Sequence, residues 1–181
     1  MRIAMKLNRT VALVGMMGAG KTSVGRRLAA RLAVPFRDAD HEIEAAAGLA
    51  VAEIFERFGE PYFRDGERKV IARLLEEPPH VLATGGGAFM DDATRDRMKK
   101  AAFTIWLKAP VSLLLSRVKK RDVRPLLKDG DIRATMERLL TSREPVYATA
   151  DMVLECADEP HGTAVERIIA ALKERGLYED A

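Results

Sequence analysis

Apolar positions along this chain follow two rhythms. Short continuous apolar runs at 10–14, 34–37, 80–84, 103–107 and 152–155 read as strands. Between them, apolar residues recur at helical spacing over 21–32 and about 50–57, 62–75, 91–101, 111–118, 132–148 and 165–175. The first helix is the clearest: Val24, Leu28 and Leu32 form one stripe, with Arg26, Arg27 and Arg31 on the other side. Strands alternating with helices predict an α/β fold with a five-stranded parallel sheet covered on both faces, and ligands at the carboxyl ends of its strands. Residues 119–131, KKRDVRPLLKDGD, break the rhythm with eight charged residues, a Pro and a Gly. They predict an exposed loop, either a plain solvated connection or a functional segment.

The junction after the first strand carries the strongest chemical signal. Gly15-Met16-Met17-Gly18-Ala19-Gly20-Lys21-Thr22 fits the phosphate-binding pattern G-x-x-x-x-G-K-[ST] between an apolar strand and an amphipathic helix. Glycines let successive N–H groups turn inward around phosphate oxygens, and the positive end of the next helix assists. Lys21 then reaches the β/γ-phosphates, and the Thr22 hydroxyl can ligate Mg²⁺. A tight glycine turn that merely starts a helix would leave Lys21 and Thr22 unexplained. This predicts a nucleoside triphosphate site, with Gly18, Ala19, Gly20, Lys21, Thr22 and Ser23 around the phosphates.

Four further stretches are individually weaker. In FRDADHEIE, Asp38 and Asp40 would point to one side of an extended strand, where a carboxylate can hold Mg²⁺ or accept a hydroxyl proton; helix capping is the alternative. In GEPYFRDGERKV, Arg64 and Glu67 share a helical face, which by itself indicates only a surface ion pair. Gly85-Gly86-Gly87 suggests close approach of main chain to a ligand, or else a flexible turn. In SREPVYATAD, Arg143 lies late in a helix before Pro145, a place that favours basic residues anyway.

Composition narrows the class. At 181 residues the chain suits a single three-layer domain. Thirty basic against 27 acidic residues, +3 overall, suit small anionic ligands better than nucleic acid. The single Cys156 allows no internal disulfide, which points to a reducing cytoplasm, and His41, His80 and His161 read as structural or solvated. The first ten residues show no signal-peptide pattern and no apolar run reaches membrane-span length, so neither a membrane nor an export route is expected.

Taken in order, GMMGAGKTSVG, FRDADHEIE, IFERFGEPYFRDGE, ATGGGA, RDVRPLL and SREPVY resemble the shikimate kinase family over about residues 9–175. The resemblance implies a P-loop fold of the nucleoside monophosphate kinase type, in one domain over 9–176 after a flexible extension at 1–8. It implies transfer of the ATP γ-phosphoryl group to the 3-hydroxyl of shikimate, with Mg²⁺. It also implies residue roles: Asp38 beside the metal with Thr22, Asp40 on the shikimate hydroxyls as base, and Arg64 and Arg143 on the shikimate carboxylate. Glu67 would orient Arg64, Gly86 and Gly87 would offer backbone, and Arg117 would lie against adenine. Arg124, in a lid at 119–131, would reach the transferring phosphate, and about 38–67 would form the substrate-binding segment. ATP and shikimate are then the partners of a monomer. Another small-metabolite kinase such as a gluconate kinase, a nucleoside monophosphate kinase and a nucleotide-binding regulator without catalysis are the alternatives.

Overall fold

The computed structural model describes residues 6–118 and 131–179. Its elements run β1 (Lys6–Leu7), β2 (Thr10–Val14), α1 (Lys21–Leu32), β3 (Phe36–Asp38), α2 (Ala39–Ala47), α3 (Val51–Phe58), α4 (Glu60–Leu74) and β4 (Val81–Ala83). A short 3₁₀ helix (Ala88–Met90) leads to α5 (Asp92–Ala101), β5 (Ala102–Lys108), α6 (Val111–Val118), α7 (Ile132–Tyr147), β6 (Met152–Glu155), α8 (His161–Glu174) and β7 (Tyr178–Glu179).

The main sheet has five parallel strands in the order β3-β4-β2-β5-β6. All five residues of β2 are buried, as expected for a central strand covered on both faces. The chain leaves β2 toward the β3 edge, returns to β4, and then crosses β2 to reach β5. Because crossovers of this type are right-handed, the reversal places α1 and α5 on opposite faces and completes three layers. Leu13, Leu28, Leu32, Leu82 and Ile105 are among the fully buried side chains between them. Gly25 is what lets α1 settle onto β3, since a Cβ there would lie 2.6 Å from Phe36 Cε2.

Two features differ from the sequence expectations. Residues 39–47 form a helix, capped by Asp38, whose Oδ1 accepts from the His41 N–H at 3.2 Å. Asp40 therefore sits in the first helical turn, and the strand argument that aimed both carboxylates the same way does not apply. Finally, Lys6–Leu7 belongs to no loose extension, because it pairs antiparallel with Tyr178–Glu179. Residues 1–5, and residues 119–130 of the expected lid with Arg124, lie outside the described residues. Among the described residues, no helix is long and apolar enough to cross a membrane.

Candidate active site

Helix α1 begins without the usual side-chain devices. Its N-cap is Gly20, no acidic residue lies in its first turn, and no side chain caps it. Its first N–H groups and the positive end of its dipole are thus left to an anion. Gly18 and Gly20 hold φ of +83° and +95°, conformations that side chains rarely adopt. Lys21 folds into the same loop, donating from Nζ to the carbonyls of Gly15 at 2.5 Å and Met16 at 2.9 Å. Its side chain is thereby held over the loop that would receive phosphates. Ala19 is buried and Ser23 half-buried beside it.

The Thr22 hydroxyl donates to Asp38 Oδ2 at 2.9 Å. One hydroxyl and one carboxylate, the latter fixed by its capping bond, make a hard oxygen pair at the edge of a phosphate loop. That fits Mg²⁺, which takes few protein ligands and completes its shell with water and phosphate. Consistent with so sparse a set, no cluster of three acidic, His or Cys side chains suited to a metal occurs among the described residues.

On the far side of the loop, Arg117 of α6 donates Nη1 to the Gly18 carbonyl at 3.1 Å. It lines a cleft with Ala19, Val24, Cys156, Pro160 and His161. Burial pushes the Cys156 thiol pKa up, so the thiol stays protonated there. His161, read from the sequence as structural or solvated, reaches the loop because α8 packs against α1.

A second cavity opens beside Met17. Asp40, Arg64, Glu67, Gly85, Gly86, Gly87 and Arg143 line it, with Val51, Phe55 and Phe63 supplying apolar wall. Its charged residues and glycines come from four separate stretches of sequence, brought together by α2, α4, the turn after β4, and α7.

Arg64 and Glu67 are not surface decoration. Arg64 Nη1 donates to Glu67 Oε1 at 2.9 Å, and the Glu67 side chain is only 3% exposed. Burial raises the Glu67 pKa, the Arg64 guanidinium opposes that, and Asp40 nearby adds to the rise. Arg143 is 6% exposed, and among the described residues no carboxylate lies within ion-pair distance of it. A buried guanidinium without a direct ion pair is costly, and an anionic ligand would relieve that cost.

The three glycines prove to be spacers for charged side chains. A Cβ at Gly87 would lie 2.5 Å from Arg64 Nη2, one at Gly86 3.1 Å from Arg143 Nη1, and one at Gly85 2.9 Å from Asp40 Oδ1. Both arginines and both carboxylates crowd onto this bare backbone. Met17, Phe55 and Phe63 carried no sequence signal for this cavity, since apolar residues at helical spacing read as core.

Comparison with known proteins adds an independent line. A family model described as shikimate kinase matches residues 17–173. A shikimate kinase of Caulobacter vibrioides is 55% identical over 166 residues, covering 92% of this chain and 83% of that protein. The solved shikimate kinase from Acinetobacter baumannii in complex with shikimate superposes with a TM-score of 0.90 at 36% identity, covering 92% of this chain and 94% of that one. A gluconokinase from Sinorhizobium meliloti, 17% identical with a TM-score of 0.61 over 93% and 94% of the two chains, shares the fold alone.

Proposed function

This chain belongs to the shikimate kinase family, and on that premise we propose how its residues divide the work of the reaction. It is an ATP-dependent phosphotransferase with an alcohol acceptor, moving the γ-phosphoryl group of ATP to the 3-hydroxyl of shikimate in aromatic amino-acid biosynthesis. Phosphoryl transfer asks little covalent chemistry of a protein; it asks for in-line positioning and neutralisation of oxygen charge.

Lys21 supplies the charge on the β/γ-phosphates, moving off the Gly15 and Met16 carbonyls to do so. Gly18, Ala19, Gly20, Thr22 and Ser23 hold the phosphates, and Arg117 borders the base. Thr22 and Asp38 would hold Mg²⁺, which when bound neutralises phosphate oxygens. Arg64 and Arg143 grip the acceptor carboxylate from two sides, Glu67 fixes the Arg64 fork, and Gly86 and Gly87 offer backbone. Asp40 binds the acceptor hydroxyls and takes the proton of the attacking one. Arg124 and the lid at 119–131 enter from the sequence motif alone, with Arg124 on the transferring phosphate. We also place the protein in the cytoplasm as a monomer, a reading supported by its one free cysteine.

The observation that carries this assignment is the Arg143 guanidinium, buried with no carboxylate at ion-pair distance among the described residues, in a cavity shared with Asp40 and next to the phosphate loop. A coupled assay of ADP release tests it, with shikimate, gluconate, nucleoside monophosphates or no acceptor. Turnover with shikimate alone is expected, and equal rates with gluconate would refute the acceptor assignment.

A further inference from the structure

Tyr147, the last residue of SREPVY, has no part in the scheme above, yet it is 0% exposed at the end of α7. Its ring lies against Trp106 of β5 with centroids 5.6 Å apart. Packing of that kind would be served equally by phenylalanine. A buried phenol must in addition find partners for its oxygen.

Its partner belongs to the acceptor cavity. The Tyr147 hydroxyl donates to the Gly86 carbonyl. Arg143, one helical turn earlier, lies close enough for its charge to act on the phenol. The hydroxyl has one proton and the carbonyl is the stronger acceptor, which leaves Met16 Sδ, 4.0 Å away, as a packing contact. Arg143 Nη1 approaches that same sulfur at 3.8 Å. Burial raises the phenol pKa, with Arg143 opposing, and the hydroxyl remains a donor at neutral pH.

The hydroxyl therefore holds a backbone group that needs fixing. Gly86 has no side chain to define its backbone, and glycine runs are the most permissive segments of a chain. The peptide linking Gly86 to Gly87 is planar and trans, so holding its carbonyl also fixes the direction of the Gly87 N–H on its other side. Arg143 lies over the Cα of Gly86, since a Cβ there would come within 3.1 Å of Nη1.

We propose that Tyr147 is a positioning residue for the acceptor site, its hydroxyl holding the Gly86 carbonyl so that the backbone beneath the Arg143 guanidinium meets the substrate in one geometry. This rests on the assignment of Arg143, Gly86 and Gly87 to acceptor binding. Loss of the hydroxyl leaves the Gly86 carbonyl short of a donor while the packed ring is kept.

The test is steady-state kinetics of Tyr147→Phe and Arg143→Lys side by side, with thermal unfolding measured with and without each substrate. For Tyr147→Phe the KM for shikimate is expected to rise about three- to tenfold, as for loss of one buried hydrogen bond, and the KM for ATP to stay within about twofold. Shikimate should then raise the unfolding temperature less than in the parent, and ATP by the same amount. Equal changes in both KM values, or none, overturn the proposal. A lower unfolding temperature with both KM values unchanged marks a purely structural tyrosine and overturns it too. If Arg143→Lys leaves the shikimate KM unchanged, the acceptor-site assignment itself fails; if only Tyr147→Phe is silent, the tyrosine inference alone fails.

Discussion

Two carboxylates, Asp40 and Glu67, converge over Gly85, yet their surroundings separate their work. Glu67 is buried and spends Oε1 on Arg64, so it orients; Asp40 lies half-buried at the cavity wall, so it can meet substrate. Asp40→Asn keeps the shape and removes the proton acceptor. The kcat is expected to fall by about 10²–10⁴-fold with ATP affinity retained, read by single-turnover assay and nucleotide titration; a fall of less than about tenfold would exclude proton transfer to Asp40. Glu67 has its own signature in pH. Its folded pKa is raised above the ordinary 4.5, mainly by burial. Its contribution to stability is therefore complete below about that value and is lost as pH rises through the folded pKa. Urea unfolding of the parent and Glu67→Gln between pH 4 and about 7 should show the parent's relative stability declining with rising pH. A constant or rising difference would contradict the raised pKa.

At the scale of elements, the turn after β4 is shaped by what lies above it. Gly87 has φ of −95°, which any residue can adopt, so backbone freedom is not why it is glycine. The reason is the Arg64 guanidinium packed onto it. Gly87→Ala should leave the fold intact, because the group it displaces is the tip of a flexible side chain. The acceptor should suffer instead: about a tenfold rise in shikimate KM, equivalent to about 1.4 kcal/mol, with unfolding temperature changed little. A large drop in stability with normal KM would show that the turn, and not the arginine, needs the glycine.

At the scale of the whole molecule, the active site is made by the order of the strands. Reversal of direction at β2 brings the phosphate loop, Asp38 at the end of β3 and the glycines after β4 to one edge of the sheet. The β1–β7 pair lies outside that sheet and joins the start of the described chain to its end. Leu7 and Tyr178 are both buried there. Removal of residues 1–7 should therefore cost about 1–2 kcal/mol from the lost Leu7 burial and lower the unfolding temperature by several degrees. The kcat and both KM values should hold, since neither cavity includes this pair. Lost activity at a temperature where the shortened protein remains folded would tie the pair to the site.

Much of this was legible in one dimension because it is local. Strand and helix periods, the glycine-lysine-threonine loop and the Arg64–Glu67 spacing depend on residues within a few positions of each other, and β2, α1, α6 and β6 fall where the pattern put them. Helix α2 was missed because its charged residues show little apolar period, and its cap at Asp38 turned a supposed strand direction for Asp40 into a helical one. The short β1–β7 pair left no period at all. Burial of Arg143, the use of each glycine as a seat for a charged side chain, and the place of Tyr147 between Gly86 and Arg143 belong to the tertiary structure alone. Each depends on groups distant in sequence, from Gly87 and Arg64 to Tyr147 and Gly86, which only sheet order and helix packing bring into contact.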